Sequence, residues 1–269
     1  MDSLITRPAP RRGYFHTLTV ARVERLTDEA VAVSFAIPDE LAAEFRFEPG
    51  QHVTLRAIID GQKVQRSYSI CLSRPEALQR REIRIAAARV GGGTLSNWIN
   101  DTVTAGDRIE VMTPLGEFTC PTRPGAILHR VAIVAGSGVT PVMSLFSTAL
   151  AEEKASRSTL IFGNRRTSSI MFRQELEDLL KEYGDRFRVI HVLSREDTGV
   201  ELFNGRLDSQ RLERILETMV PVRSVDQWYL CGPSGLVGGA RALLADLGVD
   251  PRHVNHEEFD VDAAPDYEV

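Results

Sequence analysis

An antiparallel six-stranded β-barrel followed by a doubly wound parallel-sheet α/β domain is the fold this sequence predicts. The prediction rests on a change of character about halfway along the chain. Before Pro114 there are short β-like runs, "LTVARVERL", "AVAVSFAI", "HVTLRAII", "VQRSYSI", "EIRIAAARV" and "RIEVMTPL", divided by turn signals such as "PDE", "EPGQ", "DGQ" and "AGD". Repeated short strands at this spacing belong to antiparallel sandwiches and barrels. After "TCPTRPGA" the pattern becomes strand then helix: "RVAIVAG" before "PVMSLFSTALAEE", "STLIFGN" before "MFRQELEDLLKEYG", "FRVIHVLSR" before "SQRLERILETM", "QWYLCGP" before "LVGGARALLADLG". Apolar strands alternating with amphipathic helices give a parallel sheet covered on both faces, and "HVNHEEF" supplies its last strand. The expected boundaries are a flexible arm over residues 1–13, the barrel over 14–122, the α/β domain over 128–259 and a tail over 260–269.

Bulk properties narrow the function. The chain of 269 residues is long enough for two domains with their own cores. A net charge of −5 argues against a nucleic-acid binder, whose footprint is usually a basic face. No apolar run is long enough to span a membrane, and "MDSLITRPAPRRG" lacks the apolar core of a signal peptide, so a cytoplasmic location is expected. The three cysteines, Cys71, Cys120 and Cys231, are far apart, which argues against a disulfide framework, a zinc site or an iron–sulfur cluster within the chain.

Three segments of the α/β half end strands where ligands of open parallel sheets bind. In "VAIVAGSGVTPVMSLF" a strand runs into Gly136-Ser137-Gly138, and Pro141 suits the first turn of a helix. Such a turn lets a pyrophosphate approach the backbone at a helix N-terminus, although a ligand-free βα turn would read the same. "YLCGPSGL" places Cys231, Gly232 and Pro233 on the same rim; a buried cysteine and a Gly-Pro turn are the plainer reading. In "VLSRED", Ser194 and Arg195 could hold a 2′-phosphate on an adenosine ribose. Equally, Arg195 could be an exposed side chain partnered by Glu196 and Asp197.

The barrel half holds a second glycine-rich loop, "RVGGGTLSNWI", from Arg89 and Val90 through Gly93 into one expected helical turn. Free N–H groups of Thr94, Leu95 and Ser96 would form an anion site there. Two such loops suggest two phosphate-bearing ligands. They also give a role to Arg66, Ser67, Tyr68 and Ser69 in "VQRSYSI". Sheet propensity explains the tyrosine, but not a cation, a ring and two hydroxyls together. Arg66 can pair with phosphate, Tyr68 can stack on a flat ring and Ser69 can hydrogen-bond to its edge.

These motifs, in this order, resemble those of the ferredoxin–NADP reductase superfamily. The likeness runs from Phe15 to Phe259 and includes "PGQHVTL", "RSYSI", "GGGTLSNW", "GSGVTPVMSL", "SRE", "CGPSG" and "VNHEEF". It implies an FAD-binding barrel and an NAD(P)-binding α/β domain. Carried over motif by motif, FAD falls to Arg66, Ser67, Tyr68, Ser69, Arg89, Val90, Gly93, Thr94, Leu95, Ser96, Thr140 and Phe259. The nicotinamide dinucleotide falls to Gly136, Gly138, Thr140, Pro141, Ser194, Arg195, Cys231, Gly232 and Pro233, with NADPH favoured over NADH. Ser69, Cys231 and Glu257 take the positions nearest the chemistry, Glu257 as a proton relay or else as a surface carboxylate. Phe259 stands where some relatives carry a ring-covering tyrosine.

The finer resemblance is to reductase components of bacterial oxygenases, such as those of phenylacetyl-CoA oxygenases and ketosteroid hydroxylases. It implies hydride transfer from NADPH to FAD, then single electrons to a ferredoxin or oxygenase component. Those relatives usually carry a [2Fe–2S] domain after the flavoprotein part; here either a separate carrier takes the electrons or the chain is part of a longer protein. The alternatives are a free-flavin or quinone reductase and a regulatory flavin-binding subunit without steady turnover.

Overall fold

The computed structural model describes residues 13–259. The expected arm and tail therefore lie outside the described residues, except Gly13. The first half contains β1 (Phe15–Thr27), β2 (Ala30–Ala36), β3 (His52–Ile59), β4 (Gln62–Ser69), α1 (Arg74–Arg80), β5 (Glu82–Ala88), α2 (Thr94–Asp101) and β6 (Arg108–Met112). Its six strands form one sheet in the order β4-β3-β6-β1-β2-β5, with antiparallel neighbours. The β3–β4 hairpin turns on Asp60 and Gly61, both at positive φ, so the two-residue turn matches the twist of the strands it joins.

The sheet curls, but its ladder does not close. Between the edge strands β4 and β5, pairing is limited to one bridge, Ile70 to Ile85. The barrel is thus a half-barrel with an open seam, and α2 packs across it against β2, β3, β4 and β5. Leu95 and Ile99 of α2 enter a core with Leu18, Phe35, Val53, Leu55 and Ile85. Helix α1 is a further difference, since the sequence reading places no element there. Ser73 caps it by accepting from the Glu76 N–H, and Arg81 leaves it in the left-handed conformation.

The second half contains β7 (His129–Ala135), α3 (Val139–Glu152), β8 (Arg157–Asn164), α4 (Arg173–Tyr183), β9 (Phe187–Leu193), α5 (Ser209–Met219), β10 (Gln227–Gly232), α6 (Ser234–Asp246) and β11 (Val254–Glu258). Its five strands are parallel in the order β11-β10-β7-β8-β9. Strand alternation divides the core. Ala132 and Val134 face α3 and α4, whereas Val131 and Ile133 face α5 and α6. The strand order reverses between β7 and β10, which makes their carboxyl ends the switch point where ligands bind.

Helix α3 belongs to both halves. The apolar cluster around it runs from Val134 and Phe162 of the parallel sheet to Ala30, Ala32, Cys71 and Ala86 of the barrel. Polar bonds add direction: the Ser144 hydroxyl donates to the Leu72 carbonyl at 2.8 Å, and Thr148 accepts from the Arg74 N–H at 2.9 Å. The segment that leaves β4 after Ser69 is therefore bonded to the helix that follows the first glycine turn.

Beneath the parallel sheet, Arg130 and Glu153 form a fully buried ion pair, with nitrogen–oxygen distances of 2.6 and 3.0 Å. Removing one partner of such a pair strands a buried charge, at about 3–5 kcal/mol. Arg130→Met should lower the unfolding free energy by about that much, and adding Glu153→Leu should recover most of it. Equilibrium denaturation of the two variants checks this.

Candidate functional site

The first glycine turn is built by close approach. After β7, Gly136–Gly138 forms a tight turn that leads into α3. Gly136 has φ +54 with open space where a Cβ would be. Gly138 has the opposite character: a Cβ there would overlap the Cys231 carbonyl and crowd the Gly232 nitrogen. The turn therefore rests on the Cys231–Gly232 peptide of β10, the neighbouring strand across the switch point. Gly232 itself sits at φ +145, against the Ala135 backbone. Thr140 is buried and its hydroxyl donates to the Ser137 carbonyl at 2.6 Å, while Pro141 occupies the first turn of α3. Pro233 precedes α6, so its missing N–H leaves no donor unpaired there.

Glu257 lies beside this rim. It is the register partner of Cys231 on β11, so both side chains share one face of the sheet. Burial pushes its carboxyl up to about 7, and its Oε2 is buried with no hydrogen-bond partner among the described residues. It is thus no surface carboxylate. Burial, and then the Glu257 charge, raise the Cys231 thiol well above its ordinary value. A thiol raised in this way is a poor nucleophile at neutral pH. Phe259 donates its N–H to the Gly232 carbonyl at 3.0 Å and packs half-buried on the cluster containing Cys231.

On the barrel, the β4 residues from Arg66 on grade from exposed to buried toward the strand end. Arg66 and Ser67 are exposed, Tyr68 is half-buried against the barrel core, and Ser69 is buried at the strand end. The Arg66 side chain reaches no carboxylate among the described residues; its Nη1 donates to the Gln65 carbonyl. Ser67 is paired with Thr54 across the hairpin, and Ser69 makes no side-chain hydrogen bond among the described residues. Burial raises the Tyr68 phenol above its ordinary value, so the ring stays neutral.

The second glycine loop leads to α2, which has two turns rather than one and Gly93 as its cap, with no side-chain cap bond. Thr94 is exposed, Leu95 and Ser96 are buried, and Val90 accepts from the Gly93 N–H and from Asn97 Nδ2. Asn97, unremarked in the sequence reading, is what folds the loop back on its helix. Arg89 is held by Asp101 at the far end of α2.

On the far rim, Ser194 and Arg195 are exposed at the end of β9. The two carboxylates beside Arg195 are engaged elsewhere: Glu196 accepts from the Thr167 N–H and hydroxyl, and Asp197 from Gly199 and Asn204. Backbone bonds from Ser194 to Asn164 and from Arg195 to Arg165 align this loop with the end of β8. Arg165 and Arg166 are exposed there and form no ion pair among the described residues. Both escape the sequence reading; the run "GNRR" at the end of a strand was the signal.

The uncapped start of α2, the space over Gly136 and the unpartnered Ser69 and Glu257 oxygens all fit two phosphate-bearing, ring-containing ligands. Known proteins agree. Residues 17–120 match the oxidoreductase FAD-binding domain family and residues 132–242 the oxidoreductase NAD-binding domain family. One component of the 1,2-phenylacetyl-CoA epoxidase of Escherichia coli (strain K12) is 37% identical over 245 residues, which cover 91% of this chain and 68% of that one. The ferredoxin reductase component of the 3-ketosteroid-9-alpha-monooxygenase of Mycobacterium tuberculosis (strain ATCC 25618 / H37Rv) is 34% identical over 251 residues, covering 90% and 64%. Thus the chain spans about two thirds of these relatives' length.

The FAD/NAD-binding domain of the Vibrio cholerae nitric oxide dioxygenase superposes with a TM-score of 0.77 at 24% identity, covering 90% of this chain and 98% of that one. A ferredoxin NADP+ reductase from Neisseria gonorrhoeae gives 0.72 at 19% identity, covering 91% and 98%. Fold and site define an FAD- and NAD(P)-binding oxidoreductase. The chain belongs to the family of FAD- and NAD-binding oxidoreductases that includes the epoxidase component, and it has the ferredoxin reductase fold.

The Glu257 carboxyl couples stability to pH. Its folded pKa lies above the usual carboxylate value, so its contribution is full below about pH 4.5 and is lost as pH rises through about 7. Relative to Glu257→Gln, the wild type should lose up to about 3 kcal/mol between those limits. Denaturation of both proteins across that range measures it; parallel curves would show an ordinary carboxylate.

Proposed function

We propose that this protein takes hydride from NADPH onto FAD and passes electrons singly to an iron–sulfur protein or oxygenase component. The observation that carries the reading is the junction itself. The segment that leaves the strand holding Tyr68 and Ser69 is bonded to α3, the helix that follows directly on the Gly136–Gly138 turn. FAD, when bound, supplies acceptance of two electrons from nicotinamide and their release one at a time.

The chain's own residues do the positioning. Arg66 and the free N–H groups at the start of α2 neutralise the flavin pyrophosphate. Tyr68, neutral and half-buried, offers its ring to the flavin plane, and Ser69 offers a hydroxyl to its edge. Gly136 and Gly138 admit the dinucleotide to the switch point, with Thr140 and Pro141 setting the start of α3. Cys231 and Gly232 form the nicotinamide wall, and Phe259 closes beside it. Glu257, with a carboxyl near neutrality, holds or yields a proton at Oε2 at working pH. Along the rim from the first glycine turn, Arg165 and Arg166 on the adjacent strand end and Ser194 and Arg195 two strands away, about 10 Å, meet the ribose 2′-phosphate.

Reductase activity toward an oxygenase partner is supported by the likeness to the ferredoxin reductase component of the 3-ketosteroid-9-alpha-monooxygenase. Three consequences test the reading. Ser69→Ala should slow flavin reduction by NADPH at least tenfold while leaving FAD content unchanged; stopped-flow absorbance decides, and an unaltered rate removes Ser69 from the site. Ser194→Ala with Arg195→Ala should raise the Kd for NADPH about tenfold or more and leave NADH unaffected; an unchanged preference between the nucleotides contradicts the phosphate assignment. One-electron acceptors of the ferredoxin type should be reduced faster than free flavin or quinone.

A further inference from the structure

Outside the site, two arginines of the barrel half reach carboxylates of the other half, Arg74 to Glu152 and Arg84 to Glu175, and the second reaches farther into the fold. Arg84 lies in the middle of β5, and its side chain is 9% exposed. Its guanidinium reaches Glu24 of β1 at 3.1 Å, within its own domain. It also reaches Glu175, in the first turn of α4 of the other domain, at 2.8 Å. The same guanidinium lies over the Phe172 ring, 5.6 Å from its centre. Phe172 is the residue from which α4 starts; it is buried and holds φ +59, a conformation that bulky side chains rarely adopt. A buried residue kept in that conformation needs its surroundings to hold it.

The backbone of Arg84 leads the other way, toward the flavin strand. Its carbonyl accepts the Cys71 N–H at 2.9 Å and the Cys71 thiol at 3.3 Å. The neighbouring Ile85 forms the one bridge across the barrel seam, to Ile70, the residue after Ser69. One residue thus joins, by main chain, the end of β4 and, by side chain, the start of α4. Helix α4 is fed by the loop that leaves β8 at Arg165 and Arg166, so fixing its start fixes the rim that meets the nucleotide.

We propose that Arg84 is a positioning residue for the transfer: its bond to Glu175 sets the nucleotide-binding domain in register with Ser69 across the domain seam. The inference rests on the proposed function for its kinetic consequence but has a structural consequence of its own. Misplacement of reacting groups by about 1 Å costs roughly 10²-fold in rate, so even partial loss of register is measurable.

The contrast between the two carboxylates tests it. Glu175→Ala breaks the bond across the seam and leaves Arg84 paired with Glu24; Glu24→Ala breaks only the bond within the barrel. With FAD-loaded protein, Glu175→Ala should lower the limiting rate of flavin reduction at saturating NADPH about tenfold or more without changing FAD content. Glu24→Ala should stay within about twofold of wild type. Amide hydrogen exchange over the Phe172–Leu176 segment should quicken at least tenfold in Glu175→Ala and not in Glu24→Ala. Equal behaviour of the two variants in both measurements overturns the proposal. A wild-type flavin that neither nucleotide reduces would sink the proposed function instead, and the exchange contrast would then still decide whether the clamp exists.

Discussion

The missing side chain at Gly138 lets the turn after β7 sit on the Cys231–Gly232 peptide, and the arrangement around the switch point depends on that contact. It brings the start of α3 beside the end of β10, which through its register carries Glu257 and through Gly232 holds Phe259. A methyl group would meet a backbone carbonyl, which cannot swing aside as a flexible side chain can. Gly136, two residues earlier, faces open space and answers to a different need, a left-handed φ and room above the loop. The two glycines of one short motif are therefore needed for unlike reasons, one for packing and one for access.

Around that contact the two domains are joined by a graded set of interactions. An apolar layer lies at the centre, where α3 meets Ala30, Ala32, Cys71 and Ala86. Side-chain-to-backbone bonds from Ser144 and Thr148 give it direction. Charged groups lie farther out, Arg74 with Glu152 and Arg84 with Glu175. Apolar burial is non-directional and supplies most of the adhesion, whereas polar bonds discriminate between similar packings. The orientation of one domain on the other is accordingly set by a few polar side chains.

Much of this was legible in the sequence because the two halves use different periods. Short strands divided by turn signals such as "EPGQ" and "DGQ", against apolar strands such as "RVAIVAG" each followed by a helical pattern, separate the antiparallel from the parallel sheet. The barrel's closure was not legible: whether β4 and β5 pair along their length or touch at Ile70 and Ile85 depends on curvature, which residue pattern does not carry. Helix α1 was missed although Ser73, Pro75 and Glu76 spell a helix start, because the run between two strands is short. Motif order singled out Tyr68, Ser69, Gly136, Gly138 and Cys231, and the last of these meets the Gly136–Gly138 turn in the fold. Sequence left the surroundings of Arg195 and Glu257 open, since both are decided by partners distant in the chain. Thr167 and Asn204 draw the neighbouring carboxylates away from Arg195, and burial beside Cys231 sets the state of Glu257. Arg84 shows the limit most plainly, for "EIRIAAARV" gives an arginine in a strand and nothing of the helix that it reaches.

Every role proposed for these residues requires that barrel and α/β domain hold one flavin where a nicotinamide can reduce it. The decisive readout is the visible spectrum of the purified, FAD-loaded protein under anaerobic conditions, before and after NADPH or NADH is added. A yellow flavin band that bleaches with both nucleotides, and faster with NADPH, is expected. A protein that binds no flavin, or a flavin band that neither nucleotide changes, would contradict the assignment.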